Sequence, residues 1–314
     1  SKARLEQTRQ DLMTQGVRAY LSVIRGREMV KYATRSEENI KRLSGMQEAL
    51  VERGAGLSYE ELQVKAQLAG AQATLVNTER SLDAALNNFR AVFGLTLASD
   101  QVDKLVMPKM PLELIPGTLD ECIAVSTAEN PYLAELMHNV ERNSGQVEAI
   151  DANFYPAIDL VGEYYRKEQD QGAQGVRYET KGSLQVSYNI FNGWADTDAS
   201  KSARADLTSA RKSVLDRQRT VEENVRNSWL DLTTLKKNME LYENQANITW
   251  EFLALVKKKK AMGAEVGLLD ILVGERDYIS AISAKVGAEI DYNIAAYTLL
   301  FQMGRMNSAA VGGV

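Results

Sequence analysis

The stretch Tyr155–Trp194, YPAIDLVGEYYRKEQDQGAQGVRYETKGSLQVSYNIFNGW, carries the one convincing β-strand signal in a sequence that otherwise reads as helix. From Ala157 to Arg166, Ile158, Leu160 and Tyr164 point one way, while Asp159, Glu163 and then Lys167 point the other. From Ser183 onward, Leu184, Val186, Tyr188 and Ile190 alternate with Ser183, Gln185, Ser187 and Asn189. Side chains alternate across a strand with period two, so each segment has one apolar and one polar face. The polar, glycine-containing connector between them, roughly Glu168 to Lys181, suits an exposed hairpin loop. Two strands alone are marginal in water, so this hairpin predicts completion by further strands or by another chain.

Composition narrows what surrounds it. The formal net charge is −5 with a pI near 5.3, which argues against a nucleic-acid binder built on basic patches. Only five prolines occur, all between Pro108 and Pro156, so 1–107 and 157–314 are free of the strongest helix breaker. Ala, Leu, Glu, Gln, Lys and Arg dominate those outer stretches, the composition of long helices and coiled coils. Cys122 is the only cysteine, which excludes an intrachain disulfide and a cysteine-based zinc site in this sequence and reads as a buried small residue. No apolar run approaches the roughly 18–20 residues of a transmembrane helix. No signal peptide is visible, and the charged helical opening SKARLEQTRQDL reads as a boundary inside a longer chain.

In chain order, residues 1–94 read as a long helical hairpin. Helix from about Lys2 to Arg53 stops at Gly54-Ala55-Gly56, and Ser58 with Glu61 forms a capping box for a return helix ending at Gly94. Fifty helical residues would span roughly 75 Å, far beyond an ordinary globular helix. Residues 95–130 are irregular, with a short helix near Leu119–Ala128. Residues 131–154 form a helix opened by Pro131, and 155–194 the β-hairpin. Residues 195–304 form a second long helical hairpin with its tip at Gly263 and Gly267, followed by a tail, 305–314.

The two helical hairpins repeat one another. VRAYLSVI (Val17–Ile24) resembles VRNSWLDL (Val225–Leu232), ERGAGLSYEELQ (Glu52–Gln63) matches KAMGAEVGLLDIL (Lys260–Leu272), and NNFRAVFGL (Asn87–Leu95) matches YTLLFQMGRM (Tyr297–Met306). The three anchors keep an offset of about 208 to 210 residues, which marks an internal duplication.

With these pieces in place the chain resembles the TolC family of outer-membrane efflux and secretion channels. The carriers are NFYPAIDL entering the first strand, SYNIFNGW leaving the second, and GAEVGLLDILVGERDYISA at the tip, whose wording is nearest the type I secretion branch. The resemblance covers nearly the whole chain. It implies a mainly α fold with a small β part: antiparallel helical hairpins forming a periplasmic tunnel, and a β-hairpin contributing to a twelve-stranded transmembrane barrel in a homotrimer. It further implies docking on a periplasmic adaptor (membrane fusion protein) and an inner-membrane ABC or other transporter. Family members carry the helix–hairpin–helix unit twice, whereas here the first helix and first β-hairpin are absent. Three copies as written give six strands, so an incomplete chain is expected.

On this reading Ile158, Leu160, Tyr164, Leu184, Val186, Tyr188 and Ile190 face outer-membrane lipid, Asp159, Glu163, Gln185 and Asn189 face the lumen, and Tyr164, Tyr165, Tyr188, Phe191 and Trp194 supply interface aromatics. The alternative is the edge hairpin of a soluble sheet. The family's entrance is held by acidic rings and polar links at the helix tips, which marks Asp270, its first-repeat counterpart Glu61, the nearby Glu275, and the tip glycines Gly54 and Gly263 as gate candidates. The run Lys257–Lys260 either pairs with these acids, meets an adaptor, or is a solvated face. No enzymatic constellation or cofactor motif is present: His138 is the only histidine, and the glycine pairs sit at helix tips instead of after strands. The expected function is an exit duct carrying protein or small molecules out of a tripartite export system and gated at the tips. The competing readings are a periplasmic coiled-coil adaptor and a structural scaffold. An adaptor calls for a lipoyl-like β-rich module, and a scaffold gives the hairpin no role.

Overall fold

A computed structural model of the chain describes residues 2–54, 56–168, 174–263 and 267–311. The chain divides into two units, 1–131 with 220–314, and 132–219. Helix α6 (Ala195–Ala261) contributes to both.

The larger unit is helical. It contains α1 (Lys2–Glu52), α2 (Ser58–Phe93), the short α3 (Ser99–Asp103), α4 (Leu119–Glu129), most of α6, α7 (Leu268–Gln302) and α8 (Ser308–Val311). Serine and threonine do not interrupt the long helices, because Thr8, Thr14, Ser22 and Thr34 return their hydroxyls to the carbonyl four residues back. The ends are set by glycine. Gly94 closes α2 at φ 69° and Gly304 follows α7 at φ 78°, and the tips turn at Gly54 (φ 71°) and Gly263 (φ 81°). The expected capping box at the start of α2 does not form. Leu57 is the N-cap, Ser58 is already the first helical residue, and no side chain caps that end. The carboxylate of Glu61 pairs instead with Lys65, one turn on, at 2.6 Å. The sequence reading also missed α3, whose five residues are too short to show a helical period; the Gln101 side chain starts it by accepting from the Ala98 N–H at 2.9 Å.

The first pair of duplicated anchors shares one core. Val17, Leu21 and Ile24 of α1 lie with Val225 and Leu232 of α6 and with Ile290, Ala296, Leu299 and Leu300 of α7. Cys122 is fully buried in the same cluster, as the sequence suggested, and burial pushes its thiol pKa up. The irregular segment packs onto this core through Leu105, Met107, Met110 and Ile115. Arg27 holds it there by donating to the carbonyls of Val102 (3.2 Å), Asp103 (3.2 Å) and Leu105 (2.6 Å). Helices α1 and α2 touch closely at Gly26, where a Cβ would meet the Leu82 Cα at 3.0 Å.

The end of α7 is locked to the end of α4. A Cβ on Gly304 would sit 2.8 Å from both the Asn130 Cα and the Glu129 carbonyl oxygen. Around it, buried Gln10 donates to the Gly304 carbonyl at 2.8 Å, and Arg305 grips Glu129 through two bonds of 2.6 and 2.8 Å. The arginine hydrogen bonds hold the Glu129 carboxyl below its usual pKa.

The smaller unit holds α5, the β-hairpin and the first part of α6. Helix α5 (Pro131–Asp151) begins at its proline, as expected for a first-turn position, and a short 3-10 turn follows (Ala152–Phe154). Asp151 accepts from Ser200 and from Arg204, each at 2.7 Å, tying the end of α5 to the start of α6. Strands β1 (Ala157–Glu168) and β2 (Val176–Ser187) pair antiparallel, from Ala157 opposite Ser187 to Glu168 opposite Val176. Strand β2 begins well inside the expected connector, because ladder hydrogen bonds need only backbone and polar side chains do not stop them. Residues 169–173 of that connector lie outside the described residues.

Two outcomes are expected from this packing. Gly304→Ala combines a left-handed backbone with a backbone clash and should cost about 1–3 kcal/mol or more. Gly54→Ala meets open space and should cost less, an order that denaturant melts can check. For Glu129 the folded pKa is depressed, so its contribution is present above the unfolded value and fades as pH falls through the folded one. Melts from neutral to acid pH should therefore lose part of their slope in Glu129→Gln.

Candidate functional sites at the hairpin and the helix tips

The ladder register sorts the hairpin's side chains without ambiguity. On one face Ile158 stands opposite Val186, Leu160 opposite Leu184, Gly162 opposite Gly182, and Tyr164 opposite Thr180. The apolar members are bare: Leu160 is 84% exposed, Leu184 68%, Ile158 67% and Val186 61%. The other face pairs Asp159 with Gln185 and Glu163 with Lys181, and Glu179 bonds Lys181 (3.4 Å) and Lys167 (3.5 Å). Tyr165 also lies on this polar face, its hydroxyl donating to Glu163 at 2.8 Å. Strand β2 ends at Ser187, so the alternation that assigned Tyr188, Asn189 and Ile190 to faces does not reach them; they belong to the turn into α6. Gly193 and Trp194, both near φ 70°, complete that turn. Phe191 and Trp194 meet edge to face there, 6.0 Å apart.

Each strand has 12 residues, about 40 Å at 3.3 Å per residue, more than the 9–11 a membrane-spanning strand needs. In the two-stranded sheet each strand has one unpaired edge. Separately, none of the described helices is long and apolar enough to cross a membrane.

At the helix tips the structure distributes the gate candidates differently from a simple acidic ring. Asp270 is exposed at the third position of α7, where a negative charge suits the helix N-terminus. The residue at the third position of α2 is Glu60, not Glu61, and it accepts from buried Gln47 at 2.9 Å. Glu61 shares Lys65 with Glu48, the latter at 3.1 Å. No hydrogen bond or ion pair joins Asp270 to Glu61 among the described residues. Glu275 is not a tip-surface acid at all: it is 1% exposed. It ion-pairs with Lys257 across α6 and α7, and Asn39 of α1 approaches its other oxygen at 3.5 Å. The first lysine of the basic run therefore has a defined partner.

These pairs carry a pattern that residue-by-residue reading missed. At the repeat's offset Glu48 corresponds to Lys257, and Lys65 corresponds to Glu275. Each hairpin thus has one bridge at the same height with opposite polarity, Glu48–Lys65 in the first and Lys257–Glu275 in the second. The first is half exposed and the second has its acid buried. Aligning the repeats residue by residue would have exposed the swap. Further up, Lys285 bonds Glu243 at 2.8 Å, which raises the lysine pKa, and Arg25 pairs with Asp291 between α1 and α7.

Helical hairpins in duplicate, with a membrane-length β-hairpin between them, define an outer-membrane channel fold. The chain belongs to the outer membrane efflux protein family, which matches residues 1–95 and 123–305, so the TolC-like resemblance holds along most of its length. It is 24% identical over 311 residues to the alkaline protease secretion protein AprF of Pseudomonas aeruginosa, covering 98% of this chain and 64% of that protein. It is 18% identical to the proteases secretion protein PrtF of Dickeya chrysanthemi, covering 95% and 65%. The crystal structure of the outer membrane protein VceC from Vibrio cholerae superposes with a TM-score of 0.78 at 16% identity, covering 96% of this chain and 72% of that one. The chain thus spans a little under two thirds of the length of its curated relatives. Family membership puts it in the outer membrane with a periplasmic extension.

The reversed bridges make a direct prediction. Lys257→Met strands a buried carboxylate and should cost about 1–3 kcal/mol, whereas Lys65→Met at an exposed pair should cost clearly less. The double exchange Lys257→Glu with Glu275→Lys copies the first repeat's polarity and should recover most of the loss, as read by thermal melts.

Proposed function

We propose that the protein is the exit duct of a tripartite export system, trimeric and gated at its helix tips. The observation that carries this is the bare apolar row Ile158, Leu160, Leu184 and Val186 on a hairpin whose opposite face is charged. Large side chains that exposed on one face of a strand pair are costly in water, and a closed barrel in lipid removes both that cost and the unpaired strand edges. On this reading Asp159, Glu163 and Gln185 line the lumen. Residues 1–94 and 195–304 build the periplasmic tunnel, 95–130 girdle it, and 131–154 lead into the barrel hairpin, 155–194.

Cargo and partners follow the same proposal. Two relatives carry names of protease secretion proteins, which favours exported protein as cargo. An inner-membrane transporter, through a periplasmic adaptor, supplies the energy, and the duct opens without covalent chemistry. At the tip, Asp270 and Glu60 stand at matching helix positions, so threefold symmetry sets three copies of each around the axis, and Glu61 is drawn aside by Lys65. Glu275, with Lys257, braces the second hairpin from inside, and Gly54 and Gly263 turn the tips.

The test uses the full-length gene product. A detergent-requiring trimer in outer-membrane fractions is expected, and a detergent-free monomer or dimer sinks the barrel and returns the adaptor and scaffold readings. Leu184→Arg on the lipid face should destabilise the barrel by about 2–4 kcal/mol and cut trimer yield, while its lumen-facing neighbour Gln185→Arg is tolerated.

A further inference from the structure

The apolar face of the hairpin is free of charge over most of its length and then is not. Ile158, Leu160, Gly162 and Tyr164 on β1, with Thr180, Gly182, Leu184 and Val186 on β2, include no Asp, Glu, Lys, Arg or His. The next pair on that face toward the turn is Arg166 opposite Tyr178, followed by Glu168 opposite Val176. The polar face, by contrast, carries charge from Asp159 onward. A cation on the lipid side costs about 2–4 kcal/mol at mid-bilayer and nearly nothing at the interface, so Arg166 marks where hydrocarbon ends.

The length agrees. The nine steps from Ala157 to Arg166 cover about 30 Å along the strand, and a tilt near 40° reduces this to roughly 23 Å along the membrane normal, close to the ~25 Å apolar band of such barrels. The Tyr164 and Tyr178 rings stack 6.1 Å apart on the same face, an aromatic pair at that boundary. Arg166 spends one donor on Glu168 at 3.2 Å, leaving most of its five N–H groups for another acceptor. The Tyr178 hydroxyl makes no hydrogen bond among the described residues.

We propose that Arg166 and Tyr178 form a binding site for the anionic phosphate of a lipid headgroup, one per protomer. The proposal rests on the reading of the hairpin as membrane-spanning. Planar guanidinium is suited to phosphate through paired N–H bonds, and the tyrosine hydroxyl supplies a further donor from the facing strand. Glu168, one pair further out, opposes the phosphate and orients Arg166 from the solvent side.

The experiment takes full-length trimer in detergent and titrates phosphatidylglycerol, phosphatidylcholine or inorganic phosphate, reading bound lipid by native mass spectrometry and the melting temperature. Phosphatidylglycerol is expected to be retained and to raise the melting temperature, with phosphatidylcholine and free phosphate weaker. Arg166→Gln should lower its apparent affinity at least about tenfold, and Tyr178→Phe by less, with the trimer intact. Equal retention by Arg166→Gln and wild type overturns the site. If Arg166→Gln yields no trimer, Tyr178→Trp decides by depth: quenching by headgroup-labelled lipid is expected, and quenching by mid-chain bromolipid overturns it. Failure of the membrane reading shows separately, as a detergent-free protein or indifference to Leu184→Arg.

Discussion

Every backbone N–H and C=O must find a partner, and this chain meets that demand in two ways that divide it. A helix satisfies itself, so α6 can run 67 residues with no help from its neighbours beyond packing. A hairpin cannot, because each outer edge of its two strands stays open until another strand arrives. The helices therefore close their hydrogen bonds within one chain, while the outer edges of the strand pair stay open until another strand pairs with them. That difference underlies the whole functional reading.

Within the helical unit the duplication is physical as well as textual. Val17–Ile24 and Val225–Leu232 converge on one core with α7, and the segment 105–115 closes over it under the hold of Arg27. The junction at Gly304 shows how tightly α7 meets the end of α4: two backbones approach where a methyl group would not fit. Methionines at 107, 110, 303 and 306 fill this region, flexible side chains suited to packing an irregular segment against regular helices.

The tips show how a duplication can keep geometry and exchange chemistry. The same two positions hold an acid and a base in both hairpins, with signs reversed, and only the second pair has a buried acid. A bridge at that height ties the outgoing helix to the returning one whichever way round it is written. Burial gives the second hairpin the stiffer link, since a desolvated carboxylate has no solvent to fall back on when its lysine leaves. Asp270, exposed at the start of α7, stays available for contacts with other chains.

Much was legible beforehand. Proline placement bounded the helices, glycine marked their tips and ends, and period-two alternation named the two faces of the hairpin from Ile158 to Tyr164 and from Leu184 to Val186. These are local properties, written in spacing and backbone preference. What local pattern could not reach was decided by tertiary structure. Strand β2 starts at Val176 instead of near Ser183 because ladder bonds continue past apolar side chains, and it stops before Tyr188 and Ile190 because the chain must turn into α6. Glu275 is buried against Lys257, and Glu60 takes the position assigned to Glu61, because one helix starts one residue sooner than its capping residues suggested. Partners 18 residues apart across a tip are set by how two helices pack, and no period within either helix records that.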